Sequence, residues 1–125
     1  MSAVVIEELT AGAQDGSELK ELKAALEKYD EAKHLLVPTG EDWYEAGKVI
    51  YAFQQGNKSK KTGDKPPMSP DVRCRMINDV LIARTAKRAG VSVVTYNMLH
   101  FERIKRYCAV KVINAAEYFA KSSRL

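Results

Sequence analysis

Val91-Ser-Val-Val-Thr-Tyr96 is a continuous β-branched run, and Ala109-Val-Lys-Val-Ile113 is a second apolar run close behind it. A short helical pattern around residues 98–107 separates them. Strand, helix and strand in this order make a βαβ unit, with parallel strands and, by the general rule, a right-handed crossover. Apolar runs without alternation are the kind buried in parallel sheets. The predicted class is therefore α/β.

Upstream of this unit the chain reads mainly as helices. Residues 71–89 form the longest helical pattern, stopped by Gly90. Residues 3–11 make a short helix ending at Gly12. Asp15-Gly-Ser-Glu18 offers cap chemistry for a second helix, on which Leu19, Leu22, Ala25, Leu26 and Tyr29 recur at helical spacing. Leu35-Leu-Val37, closed by Pro38, reads as a short buried strand. Thr39-Gly-Glu-Asp42 caps a third helix with Trp43, Ala46, Gly47, Ile50 and Phe53 on one face. Residues 56–70 are rich in Gly, Lys, Ser and Pro and read as a basic loop. The whole of 1–125 is expected to form a single domain, without internal repeats.

The formal net charge of +4 hides a division. Residues 1–50 hold 5 Lys/Arg against 11 Asp/Glu, net −6, and residues 51–125 hold 15 against 5, net +10. Any RNA is thus expected to approach over the second half. Lys58, Lys60, Lys61 and Lys65 in the loop, with Arg73, Arg84, Lys87 and Arg88 beside it, would attract phosphate; the alternative is a solvated lysine loop. No apolar run approaches a membrane span or a signal-peptide core, so neither is expected. Two cysteines, Cys74 and Cys108, read as reduced thiols of a cytoplasmic protein rather than a disulfide framework.

Two carboxylates fall where apolar residues belong. On the 71–89 helix, Val72, Met76, Val80, Ala83 and Ala86 share an arc, and Asp79 lies about 20° from Val72 at 100° per residue. A carboxylate there needs a cation, a donor network or water. An ion pair with Arg75, one turn away, is the structural alternative. Glu8 likewise projects among Val4, Val5, Leu9, Ala11 and Gly12, while Glu7 points outward; fraying of so short a terminal helix is its plain alternative. Thr95, Asn97 and His100 cluster beyond the end of the 91–96 strand, where parallel sheets bind ligands. Acids with a hydroxyl and an amide suit a hard divalent ion such as Mg²⁺ or Mn²⁺, whereas a lone His100 is no evidence for zinc.

Four segments in this order resemble the PIN-domain family and, within it, the VapC-type toxin ribonucleases. They are Val4-Val-Ile-Glu-Glu-Leu-Thr-Ala-Gly-Ala13, Pro38-Thr-Gly-Glu-Asp-Trp-Tyr-Glu-Ala-Gly47, Asn78-Asp-Val-Leu-Ile-Ala83 and Val93-Val-Thr-Tyr-Asn-Met-Leu-His-Phe-Glu-Arg-Ile104. The resemblance implies a three-layer fold with a small parallel sheet flanked by helices. It implies catalytic acids, Glu8 and Asp79, that hold Mg²⁺ or Mn²⁺ for hydrolysis of RNA, with Thr95, Asn97 and His100 in support. It also implies a VapB-like antitoxin partner, a homodimer and a cytoplasmic setting. Two departures are expected to matter. The family's first strand, ending in an aspartate, has no counterpart here, and His100 stands where a further acid is often found. These departures point to impaired turnover, with an inactive RNA- or protein-binding module and an incomplete gene product as the other readings.

Overall fold

The computed structural model describes residues 1–58 and 68–122. In chain order its elements are α1 (Ala3–Ala11), α2 (Gly16–Glu31), α3 (Gly40–Lys58), α4 (Pro70–Ala89), β1 (Val93–Thr95), α5 (Met98–Ile104), β2 (Val112–Asn114) and α6 (Ala115–Ser122). β1 and β2 are parallel, with Val93 opposite Val112 and Thr95 opposite Asn114. The βαβ unit is therefore present, and helices α4, α5 and α6 pack on its strands.

The strands are shorter than the apolar runs that announce them. The N–H of Val91 closes the end of α4 by donating to the Ala86 carbonyl, so it does not enter the ladder. Gly90, at a left-handed φ of 70°, makes that reversal possible without a Cβ penalty. Pairing begins where the N–H of Val93 donates to the Lys111 carbonyl, which moves β2 toward residues 112–114. Val94 is 41% exposed, so the sheet is not covered on both faces as a buried parallel strand would be. α5 ends at Ile104, because the N–H groups of Tyr107 and Cys108 turn back to the Ile104 carbonyl.

The third expected strand, Leu35–Val37, is a single bridge. Leu36 donates to the Met1 carbonyl at 2.8 Å and accepts from the N–H of Ala3 at 2.9 Å. Val37 is exposed, and its carbonyl is taken by an Arg88 guanidinium, so no ladder continues. The chain thereby ties the start of α1 to the approach to α3.

The core is built around α4. Val80, Leu81 and Ala83 have no solvent exposure, and they cluster with Val4 of α1, Ala46 and Val49 of α3, Val93 of β1 and Phe101 and Ile104 of α5. Ser69 caps α4 by accepting from the N–H of Val72, with Pro70 in the first turn. The Thr85 hydroxyl, buried in that core, donates to the Leu81 carbonyl. Cys108 is buried and burial pushes its thiol up, whereas Cys74 is exposed; both are free. α2 packs against α1, with Leu22, Ala25, Leu26 and Tyr29 half-buried and Leu19 exposed.

The inward face of α3 is rotated from the expected one. Trp43 and Gly47 face outward, and Asp42, Ala46, Val49 and Ile50 are buried, with Phe53 half-buried behind them. A charge explains the rotation. Asp42 is 1% exposed, accepts from the N–H of Thr39 at 2.8 Å, and is held by Arg84 Nε at 3.1 Å and by the Arg88 guanidinium. Thr39 Oγ1 accepts in return from the N–H of Asp42, which completes a capping box. Burial pushes the Asp42 carboxyl up, but the Thr39 N–H and the two guanidinium groups outweigh it and hold the carboxyl below 3.8.

A depressed carboxylate stabilises the fold fully above its unfolded value, and that contribution is lost as pH falls through the folded value. Asp42→Ala is expected to cost about 2–4 kcal/mol, less than a fully buried pair because both arginines reach water. Asp42→Asn should remove part of the native chain's stability loss on acidification below 3.8, read by urea unfolding at a series of pH values. Equal stability of Asp42→Ala and the native chain would contradict the clasp.

Candidate active site

α4 carries Asp79 on the side that meets α1 and α5, both of which pack against it. His100 Nδ1, from α5, stands 3.4 Å from Asp79 Oδ2. Glu8, from α1, accepts from Asn78 Nδ2 at 3.0 Å. The two acids are near enough for Glu8 to act electrostatically on Asp79. α5 thus brings His100 to Asp79, and α1 brings Glu8 to Asn78, the residue before Asp79.

The surroundings of the two acids differ from the sequence expectation in two respects. Glu8 is exposed, because the buried residues of α1 are Val4 and Ile6 rather than the arc that includes Leu9. Asp79 pairs with His100, not with Arg75. Thr95 and Asn97 bond to one another, the N–H of Asn97 donating to Thr95 Oγ1 at 3.0 Å, at the end of β1. Asn97 stands before the first turn of α5 without a side-chain cap bond.

Asn78 was not among the expected site residues. Its neighbour's position on the apolar arc drew attention, yet an amide beside an acid carries no signal until a partner 70 residues away is known.

Burial pushes the Asp79 carboxyl above 3.8; the His100 hydrogen bond and charge oppose this, and the negative charge of Glu8 adds to it. Among the described residues no three His, Cys, Asp or Glu side chains converge as a metal cage. The donor set fits a hydrated hard ion held by two carboxylates and shared with a substrate phosphate, a common manner of binding Mg²⁺, and not a closed site.

Beside Asp79 lies a pocket of about 170 Å³ between α3, α4 and α5. Phe53, Val72, Met76 and Ile104 give it an apolar lining, and Asp79 and His100 form one wall. Arg75 and Arg103 border it. The ring of Tyr107 supports Phe53 at a centroid distance of 5.2 Å.

The expected RNA-contacting cations separate into groups. Arg84 and Arg88 are engaged by Asp42, so their charge is largely spoken for. Arg73 is exposed near the start of α4. Lys58 closes α3, while Lys60, Lys61 and Lys65 lie outside the described residues. Among the described residues no helix is long and apolar enough to cross a membrane.

For an acid raised on folding, stability is complete below the unfolded value and lost as pH rises through the folded one. Asp79→Asn is therefore expected to raise Tm at pH 7, with the gain fading as pH is lowered into the ordinary carboxylate range. A lower Tm at pH 7 would show instead that the ionised carboxylate stabilises the fold.

Comparison with curated proteins and with solved structures gives no significant match. The family model for the PIN domain matches residues 1–117, a span that takes in both acids, the pocket and the whole βαβ unit. The chain belongs to the PIN domain family, a family of divalent-metal-dependent nucleases.

Proposed function

We propose that this chain is an endoribonuclease of the VapC toxin type, with Glu8 and Asp79 as its catalytic, metal-holding acids and Mg²⁺ or Mn²⁺ as its ion. The observation that carries this reading is that Glu8 of α1 is bonded to Asn78, the residue before Asp79, within a chain of the PIN family. The order of the four VapC-like segments supports the toxin assignment. It also supports a VapB-like antitoxin and a homodimer as partners, in the cytoplasm.

A bound ion would supply an activated water and offset charge developing on the scissile phosphate. The chain's own residues prepare the place. Asn78 holds one oxygen of Glu8 and so orients its carboxylate. His100 orients Asp79 from the other side. Thr95 fixes the turn that launches α5, and thereby the position of His100. Two carboxylates bind a hard ion weakly, so cleavage is expected to need a high concentration of the ion.

A second reading, a module that binds RNA or protein without cleaving, is favoured by the engagement of each acid with a neighbouring side chain. Cleavage assays separate the two. The native chain is expected to cut single-stranded RNA with Mn²⁺ and not with EDTA. Asn78→Ala should lose roughly 10–100-fold, as outer residues of metal sites do, and Asp79→Asn or Glu8→Gln more than that. His100→Asp, which adds a third carboxylate, should cut faster at low Mn²⁺. Equal cleavage by the native chain and Asp79→Asn would overturn the site, and absence of cleavage at any Mn²⁺ concentration would favour the binding module.

A further inference from the structure

Val72, Arg75, Met76 and Asp79 occupy positions i, i+3, i+4 and i+7 of α4, and His100, Arg103 and Ile104 occupy i, i+3 and i+4 of α5. Two complete helix faces therefore look at each other across the pocket, with Phe53 of α3 between them. Three features of this cleft ask for a ligand. Phe53, Val72, Met76 and Ile104 give it an apolar side, yet it opens to solvent at Val72, which is 48% exposed. Two guanidinium groups, of Arg75 and Arg103, border it, and neither has an ion-pair partner among the described residues. Its wall is shared with Asp79, the acid proposed to act on RNA.

We infer that the cleft receives one unstacked pyrimidine base of the RNA, next to the phosphate at Asp79, while Arg75 and Arg103 hold the adjoining phosphates. Size selects the base. An apolar cavity of about 150 Å³ takes one benzene ring. At about 170 Å³ the cleft accommodates a single-ring base and is cramped for a purine. Charge selects the polymer. An apolar slot bordered by two guanidinium groups suits a ring carried on an anionic backbone, the pairing of stacking surface and basic groove by which single strands are bound. Extrusion of one base costs least in a single-stranded segment, so the substrate is expected to be a loop or an unpaired end.

This inference rests on the nuclease reading for its location, and its test does not depend on cleavage. Fluorescence anisotropy in EDTA would measure binding of short oligo(U), oligo(A) and an abasic ribose-phosphate strand of equal length to the full chain. Oligo(U) is expected to bind about tenfold tighter than either other strand. Val72→Trp fills the mouth of the cleft from an exposed position, and it should bring oligo(U) down to the abasic level. Self-stacking of oligo(A) would persist in Val72→Trp, so a preference unchanged by the substitution overturns the inference. Arg75→Gln and Arg103→Gln should each reduce the slope of log K against log salt by about 0.7, and unchanged slopes would also overturn it. If Val72→Trp instead converts a dimer to a monomer and leaves oligo(U) binding intact, the cleft faces a second copy and the inference fails. Mn²⁺-dependent cleavage without pyrimidine preference would leave the nuclease reading standing and remove this one. Pyrimidine preference in binding without cleavage would do the reverse.

Discussion

The carboxylate of Asp42 is buried in the first turn of α3, and a charge so placed has to be met by partners in fixed positions. Arg84 and Arg88 meet it from α4, one turn apart on the same face. Arg88 reaches further, to the Val37 carbonyl, and draws in the segment that leads into α3. That segment is in turn bridged to the start of α1 through Leu36. One clasp thus sets the rotation of α3, the register of α4 and the entry of the chain between α1 and α3. Apolar contacts alone would tolerate a range of sliding between α3 and α4; bonds to specific oxygens narrow it.

With α4 held, its middle becomes a platform. Asp79 stands immediately before the fully buried Val80 and Leu81, so its Cα has little freedom. α1 brings Glu8 to Asn78, and α5 brings His100 to Asp79. The cleft beside Asp79 is walled by the same helix, so the proposed base-binding surface and the candidate acid share one element. Burial works against the charge of Asp79, and the His100 hydrogen bond and charge oppose that effect.

The βαβ unit and the unusual position of Asp79 are legible in the sequence because each follows from local periodicity. Val91–Tyr96 and residues 109–113 announce the two strands, though not where pairing starts, because the end of α4 takes Val91 for its own closure. Glu8 stands out in the sequence only through its likeness to the family segment, as a candidate site residue. The arc that placed it among apolar residues does not describe its exposed position. The outward turn of Trp43 is not legible, since periodicity counts apolar residues and the face of α3 is decided by a buried aspartate. For the same reason Arg84 and Arg88 read as free cations until Asp42, more than 40 residues away, is seen to bind them. Leu35–Val37 has the composition of a strand, but a strand needs neighbours along its length, and Ser2 provides a single bridge.

The central claim is that Glu8 and Asp79 together hold a hard divalent ion. Electron paramagnetic resonance of Mn²⁺ titrated into the metal-free chain tests it directly, because free Mn²⁺ gives a sharp signal that binding removes. The account predicts one weak site that is lost in Glu8→Gln and in Asp79→Asn alike, and that tightens in His100→Asp. Mn²⁺ binding of equal strength in the native chain and in both single variants would contradict it.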